Sequence, residues 1–137
     1  MKKLGYLLIF LFFLSCKDRN NVLQEQSFYI QFNINEPAYF DLTVPTGWIY
    51  YNGSNVDLII YRQTMDVMVA YDARSTYDIE SNCYVEVTED GVFAEDPCSG
   101  SQWLLYDGSV SQGPAARPLL EYEVEFNSSN GNCIIAN

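Results

Sequence analysis

The chain has 137 residues, enough for one domain with a hydrophobic core, and Tyr and Phe, which favour β-strands, are frequent. Its formal net charge is −11 at pH 7. That acidic balance excludes nucleic acid as an expected partner, because phosphate binding needs a surface rich in Lys and Arg. No histidine is present, which excludes nucleophilic catalysis by Ser-His-Asp or Cys-His.

The first fifteen residues are typical of a secretion signal peptide. Two lysines precede an apolar run at residues 4–14, which is too short to span a bilayer as a permanent helix. The run is followed by Ser15-Cys16, which resembles the lipobox of bacterial lipoproteins, where a small residue precedes the cysteine that becomes the lipidated N-terminus. We expect removal of residues 1–15 and attachment of fatty acyl chains such as palmitate to Cys16. The alternative is a plain signal peptide with an incidental cysteine.

The residue after the lipobox indicates where the anchor lies. Lys17 does not resemble the aspartate that retains lipoproteins in the inner membrane, so we expect an outer-membrane lipoprotein on the periplasmic or cell-surface side. Residues 17–26 are polar and predict a tether. The predicted organisation is a signal peptide at 1–15, the lipidated cysteine and tether at 16–26, and one domain at 27–137.

Short apolar and aromatic runs, separated by turn residues, fill the domain. The run at 56–61 is apolar except for Asp57, as in a strand that is buried on both faces, and 120–126 alternates between glutamates and apolar residues. Asn52-Gly53 is a hairpin signal. No segment has a sustained helical period, so we predict an all-β domain of about ten short strands, a small sandwich or barrel. The runs lie at 27–32, 39–42, 48–51, 56–61, 65–71, 84–87, 92–94, 103–106, 120–126 and 133–135.

One segment in the second half of the domain contains several turn residues at fixed spacing: Asp96-Pro97-Cys98-Ser99-Gly100-Ser101-Gln102-Trp103, Asp107-Gly108, Gly113-Pro114-Ala115 and Pro118-Leu119. It resembles the second cluster-binding segment of Rieske proteins, which reads Cys-Pro-Cys-His-Gly-Ser, an aromatic residue, an Asp-Gly hairpin and a Gly-Pro-Ala…Pro-Leu loop. The runs at 56–62 and 67–72 resemble the strand pair that delivers the first ligand loop. The likeness spans about residues 36–135 and implies a Rieske-like fold.

The resemblance also locates the positions that would hold a cluster. A Rieske [2Fe–2S] cluster is bound by two cysteine thiolates and two histidine imidazoles. The ligand cysteines fall on Ser75 and Asp96, and the ligand histidines fall on Tyr77 and Ser99. Hard oxygen ligands do not replace thiolate and imidazole. We therefore expect no cofactor and no metal here, and expect the four side chains to gather at one tip and hydrogen-bond one another.

Many Rieske domains join their two ligand loops by a disulfide, and the resemblance places that bridge between Cys83 and Cys98. The export signal implies a compartment in which disulfides persist. Cys133 then remains in the last strand, where a lone cysteine in an apolar run is most often a small buried hydrophobe.

We expect a non-catalytic binding or accessory module of the envelope, not an enzyme. Its partners would be the membrane, through the anchor, and an unknown envelope protein or small ligand. The runner-up is a Rieske-type electron-transfer protein that binds [2Fe–2S], and a third possibility is an enzyme that uses paired carboxylates. A hard metal ion at the four changed positions and Ca²⁺ at the acidic turns are minor alternatives.

The aromatic residues offer a further alternative, a platform for a sugar or a peptide. Its candidates are Trp48, Tyr50, Tyr51 and Trp103. The resemblance implies a core position for Trp103. Tyr50 and Tyr51 point to opposite faces of one strand, so we expect one of them to be exposed.

Overall fold

The computed structural model describes Val22–Asn137, which form ten β-strands and two short 3₁₀ helices. This confirms the prediction of an all-β domain with about ten short strands. The predicted signal peptide and Cys16 lie outside the described residues. The strands are β1 (Tyr29–Asn33), β2 (Trp48–Asn52), β3 (Asp57–Arg62), β4 (Met68–Asp72), β5 (Glu86–Val87), β6 (Phe93–Glu95), β7 (Gln102–Leu104), β8 (Val110–Gln112), β9 (Glu121–Asn127) and β10 (Asn132–Ala136).

The strands form two antiparallel sheets. The larger has the order β1-β10-β9-β4-β3-β2, and the smaller has the order β5-β6-β7-β8. Chain neighbours pair as hairpins in β2–β3, β3–β4 and β9–β10, whereas β4–β9 and β1–β10 join distant parts of the chain. The smaller sheet is inserted between β4 and β9 and carries the loops described below.

Strands β3 and β4 lie between two hydrophobic cores. Leu58 and Ile60 point into one core, and Ile59 points into the other; all three are fully buried. Burying each such side chain contributes roughly 1.5–3 kcal/mol. The first core is completed by β1, β9, β10 and the first 3₁₀ helix, and the second by the smaller sheet around Trp103. The continuous apolar run at 56–61 is thus explained, and Trp103 is a core residue.

The apolar run at 39–42 belongs to a 3₁₀ helix, Pro37–Thr43, and not to a strand. Proline fixes a φ compatible with the first turn of a helix. With three residues per turn, Tyr39 and Leu42 fall on the same side. Leu42 is fully buried, and the Tyr39 ring stacks on Phe32 at 4.3 Å between centroids. Tertiary packing of two residues three apart therefore decides the local structure.

The segment before β1 is packed on the domain from Leu23 onwards. Leu23 is buried, although it lies within the predicted tether. The Gln24 carbonyl accepts a hydrogen bond from Arg74 Nη2 at 3.1 Å, and the Gln26 N–H donates to Tyr122 Oη at 3.4 Å.

This segment is held by an ion pair between Arg74, which is partly exposed, and Asp72. Arg74 donates from Nε and Nη2 to the two carboxylate oxygens of Asp72, which is fully buried. Tyr122 Oη donates to the same carboxylate at 2.8 Å. Burial, then the hydrogen bond to Asp72, raises the pKa of Tyr122 to about 12.

Among residues 22–137, no helix has the length and apolar character needed to cross a membrane.

Candidate functional site

Two loops meet at one end of the smaller sheet. The first follows β4 and contains the second 3₁₀ helix, Ile79–Ser81; the second joins β6 to β7. A disulfide between Cys83 and Cys98 joins the loops, with 6.4 Å between the Cα atoms, and this confirms the predicted bridge. Ser75 also donates its backbone N–H to the Cys83 carbonyl at 2.8 Å. The disulfide therefore joins the two loops covalently, and the backbone hydrogen bond closes the first loop on itself.

Asp96 is the centre of the side-chain contacts between the loops. It begins the second loop, is 1% exposed, and receives hydrogen bonds on both carboxylate oxygens. Ser75 Oγ donates to Oδ2 at 2.7 Å, and Ser99 Oγ donates to the same oxygen at 2.8 Å. The backbone N–H of Cys98 donates to Oδ1 at 2.8 Å. A buried carboxylate is stabilised when its lone pairs accept such bonds.

Ser101 extends this network to a third loop, which joins β8 to β9; together the three loops form what we call the three-loop tip. Its hydroxyl lies 2.9 Å from Ser99 Oγ and accepts the backbone N–H of Ala115 at 2.9 Å. The backbone of Asp96 closes the turn by donating to the Ser101 carbonyl. We call Ser75, Asp96, Ser99 and Ser101 the serine–aspartate cluster. Ser101 belongs to the segment that resembles the Rieske motif, but a serine after a glycine in a turn carries no signal of a buried hydrogen-bonding role, and none was predicted for it.

Tyr77 joins the cluster through its backbone only. Its N–H donates to Ser75 Oγ at 3.1 Å, while the side chain is 37% exposed. The ring lines a cavity of about 410 Å³ between the first loop and the Pro114–Arg117 loop. The structure thus brings together the side chains of Ser75, Asp96 and Ser99, whereas Tyr77 lines the cavity and is partly exposed.

The donor set here differs from that of a [2Fe–2S] cluster. Such a cluster needs thiolate and imidazole ligands, whereas the chain has no histidine and the cysteines beside Asp96 are bonded to each other. Cys83, Asp96 and Cys98 have their ligand-type atoms within 4.8 Å of one another, but disulfide sulfurs are not thiolates. Ser75 and Ser99 contact the Asp96 carboxylate directly, at hydrogen-bonding distances of 2.7 and 2.8 Å.

The third loop is attached to the rest of the tip by Arg117. Its carbonyl accepts hydrogen bonds from Trp103 Nε1 at 2.8 Å and from Thr76 Oγ1 at 3.0 Å. The core tryptophan and the first loop are therefore linked through one carbonyl. Together with the disulfide, these contacts make the three-loop tip a tightly bonded unit.

Acidic side chains approach each other at a separate place, on the smaller sheet. Glu86 and Glu95 are cross-strand partners and line a cavity of about 230 Å³. The Glu95 carboxylate accepts a hydrogen bond from Gln102 Nε2 at 2.6 Å. This pair is the candidate position that we consider for the carboxylate-enzyme alternative. The glutamates of β9 lie on its exposed face instead, as the alternation predicts.

The comparison with solved structures identifies the fold. The plasma membrane Rieske protein PetC3 from Synechocystis PCC 6803 superposes with a TM-score of 0.51 at 19% identity, covering 66% of this chain and 87% of that one. The domain has a Rieske-like fold. No family model matches the chain, and no curated protein matches it.

Two further structures have lower TM-scores. The ferredoxin of carbazole 1,9a-dioxygenase from Nocardioides aromaticivorans IC177 gives a TM-score of 0.47 at 14% identity, covering 67% of this chain and 86% of that one. A Mycobacterium tuberculosis protein described as an NADH-dependent nitrite reductase small subunit gives a TM-score of 0.48 at 15% identity, covering 82% of this chain and 97% of that one.

Proposed function

We propose that this Rieske-like domain carries no iron–sulfur cluster and acts as a non-catalytic binding or accessory module, anchored by lipid on Cys16 to the outer membrane, periplasmic or cell-surface side. The observation that carries the proposal is the serine–aspartate cluster. Three of the four positions aligned with cluster ligands hold side chains that hydrogen-bond one another. A self-satisfied polar network stabilises the loops without a metal.

The architecture of the tip fits this role. The loops that would enclose a cluster are joined by the Cys83–Cys98 disulfide, by the Asp96 carboxylate and by the contacts of Arg117. Such a tip is a rigid support that presents an exposed Tyr77. Binding surfaces on loops are most effective when a rigid scaffold positions them.

The decisive experiment is chemical analysis of the full chain, purified anaerobically from cells with an active iron–sulfur assembly system. We expect iron and acid-labile sulfide far below one per chain, and no visible absorption band. The Synechocystis Rieske protein, prepared in parallel, provides the positive control. Iron and sulfide in equal amounts at about two per chain would establish the electron-transfer alternative and overturn the proposal.

The anchor has its own test. Replacing Cys16 with serine in the full chain should move the protein from the membrane fraction to the soluble fraction, because the acyl chains provide the membrane affinity. Cys133→Ala is the matched control, since Cys133 is buried within the domain, and it should partition like the unaltered protein. Unchanged partitioning of Cys16→Ser would remove the lipoprotein part of the proposal.

A further inference from the structure

Strand β2 forms one edge of the larger sheet, and its register with β3 shows which backbone groups are paired. Arg62 donates its N–H to the Gly47 carbonyl at 2.8 Å just before β2. Gly53 donates to the Val56 carbonyl at 2.9 Å just after it. In an antiparallel pair the hydrogen-bonded positions recur at every second residue.

It follows that Ile49 and Tyr51 direct their backbone groups toward β3. Trp48, Tyr50 and Asn52 direct theirs outward, and no backbone hydrogen bond from these three residues to another described residue is observed. The outer edge therefore presents N–H and C=O groups at alternate positions. An exposed edge of this kind is a template for pairing with another extended chain.

A groove runs beside this edge, and we call it the β2 groove. It is open to solvent, has a volume of about 760 Å³ and lies between the first 3₁₀ helix and β2. Phe40 is 66% exposed, Val44 is 58% exposed and Tyr50 is 43% exposed along it. Large apolar side chains exposed together are typical of an interaction surface.

Tyr50 is held in position by the smaller sheet. Its hydroxyl accepts the backbone N–H of Val87 at 2.6 Å, and its ring packs edge-on against Trp48 with 5.1 Å between centroids. Trp48 Nε1 lies 3.1 Å from the point that a Cβ on Gly91 would occupy, so the indole is also confined. The aromatic wall of the β2 groove is therefore already ordered, which lowers the entropic cost of binding.

Charge indicates the chemistry of the occupant. Of the seven basic residues of the chain, four precede Val22, so residues 22–137 contain three: Arg62, Arg74 and Arg117. Arg62 is buried over Phe126, Arg74 is paired with Asp72, and Arg117 lies in the three-loop tip. The β2 groove contains no basic residue, and Asp41 lines it. A cationic partner is complementary to this surface.

We propose that the outer edge of β2 binds an extended, basic segment of another protein, which adds as a further strand and places alternate apolar side chains in the β2 groove. The alternating backbone donors and acceptors favour a peptide over a sugar, which has no matching period. The proposal rests on the binding role proposed above. It uses a surface separate from the serine–aspartate cluster, so iron analysis and peptide binding can fail independently.

The test uses the full chain in detergent and capped peptides of about eight residues, the length of a typical strand pairing. A peptide of alternating valine and lysine should bind. Its valine–glutamate counterpart should bind at least about tenfold more weakly at low salt. The lysine peptide N-methylated at alternate residues keeps its charge and composition but loses backbone donors, and it should also bind at least about tenfold more weakly.

Variants at the two sheet edges provide the matched pair. Asn52→Pro removes an outward N–H from β2 and should weaken binding about tenfold. Gln31→Pro makes the same change on β1, where pairing of Ile34 with Gly131 leaves the Gln31 backbone facing outward. It should bind within about twofold of the unaltered protein.

Backbone amide NMR locates the peptide and does not depend on the variants. The amides of Trp48, Tyr50 and Asn52 should exchange rapidly in the free protein and become protected on binding. The proposal is overturned if no peptide binds, if the N-methylated peptide binds equally well, or if protection appears elsewhere. Binding of a chitin oligosaccharide at the groove without amide protection would indicate a sugar platform. A concentration-dependent dimer abolished by Asn52→Pro would assign the edge to a second copy.

Discussion

Removing the carboxylate of Asp96 tests whether the serine–aspartate cluster is a structural element. In Asp96→Ala, the hydroxyls of Ser75 and Ser99 and the N–H of Cys98 lose their acceptor. A net hydrogen bond to a charged group contributes about 1.5–3 kcal/mol, and three such bonds are offset in part by the desolvation of a side chain that is 1% exposed. We expect the free energy of unfolding to fall by about 3 kcal/mol.

Urea denaturation under oxidising conditions measures this change. With a slope of about 2 kcal/mol per molar urea, the midpoint should fall by about 1.5 M. Asp107→Ala is the matched control, because the Asp107 carboxylate also accepts a hydroxyl and a backbone N–H, both from Ser109, but is exposed. We expect it to cost less than about 1 kcal/mol.

The comparison of the two variants decides the question. If Asp96→Ala and Asp107→Ala lower the midpoint equally, the reasoning that burial makes the Asp96 network structural is wrong. Asp96→Asn refines the measurement because it keeps the volume and removes the charge. Its urea midpoint should lie between those of the unaltered protein and Asp96→Ala.

Three further changes test other features. Replacing Cys83 and Cys98 with serine opens a link of 15 residues and should lower the free energy of unfolding by about 3 kcal/mol in urea, whereas no change would contradict the bridge. Gly108 has a φ of 69°, and the Cβ of an alanine there would lie 2.8 Å from the Tyr71 ring. Gly108→Ala should therefore lower the free energy of unfolding, measured by thermal unfolding, by about 2 kcal/mol or more, whereas a negligible change would show that the site is unstrained. Burial raises the pKa of Cys133 to about 12, so this thiol should resist alkylation until the protein unfolds. Its contribution to the free energy of unfolding should be lost as pH rises from about 9 toward 12. Rapid labelling at pH 8 would contradict the burial.

The sequence was most informative where one hydrophobic pattern determines which residues of a strand are buried. The continuous apolar run at 56–61 corresponds to β3 between two cores, and the alternation at 120–126 corresponds to β9 with its glutamates exposed. Both patterns follow from the period of two in a strand, because alternation marks one buried face and a continuous apolar run marks two. The fold and the disulfide came from the Rieske resemblance, because turn glycines and prolines at fixed spacing carry information that composition does not.

Contacts between residues far apart in the chain could not be predicted from local sequence patterns. Leu23 lies in a polar segment, yet it is buried against the domain. The exposure of Tyr77 depends on loop geometry, and Ser101 matters because the Ala115 N–H approaches it from another loop. The Asp72–Arg74 pair had a usable signal, since residues two apart at a strand end share a face.

The sharing of β3 and β4 by both cores has a consequence for how the domain melts. Successive residues of each strand pack into opposite cores, so the two cores share one layer of backbone. Loss of packing in one core therefore also removes packing partners from the other. We therefore expect one calorimetric peak with equal van't Hoff and calorimetric enthalpies, and no half-melted species. Damage at either side of the layer should lower the melting temperature of the whole domain.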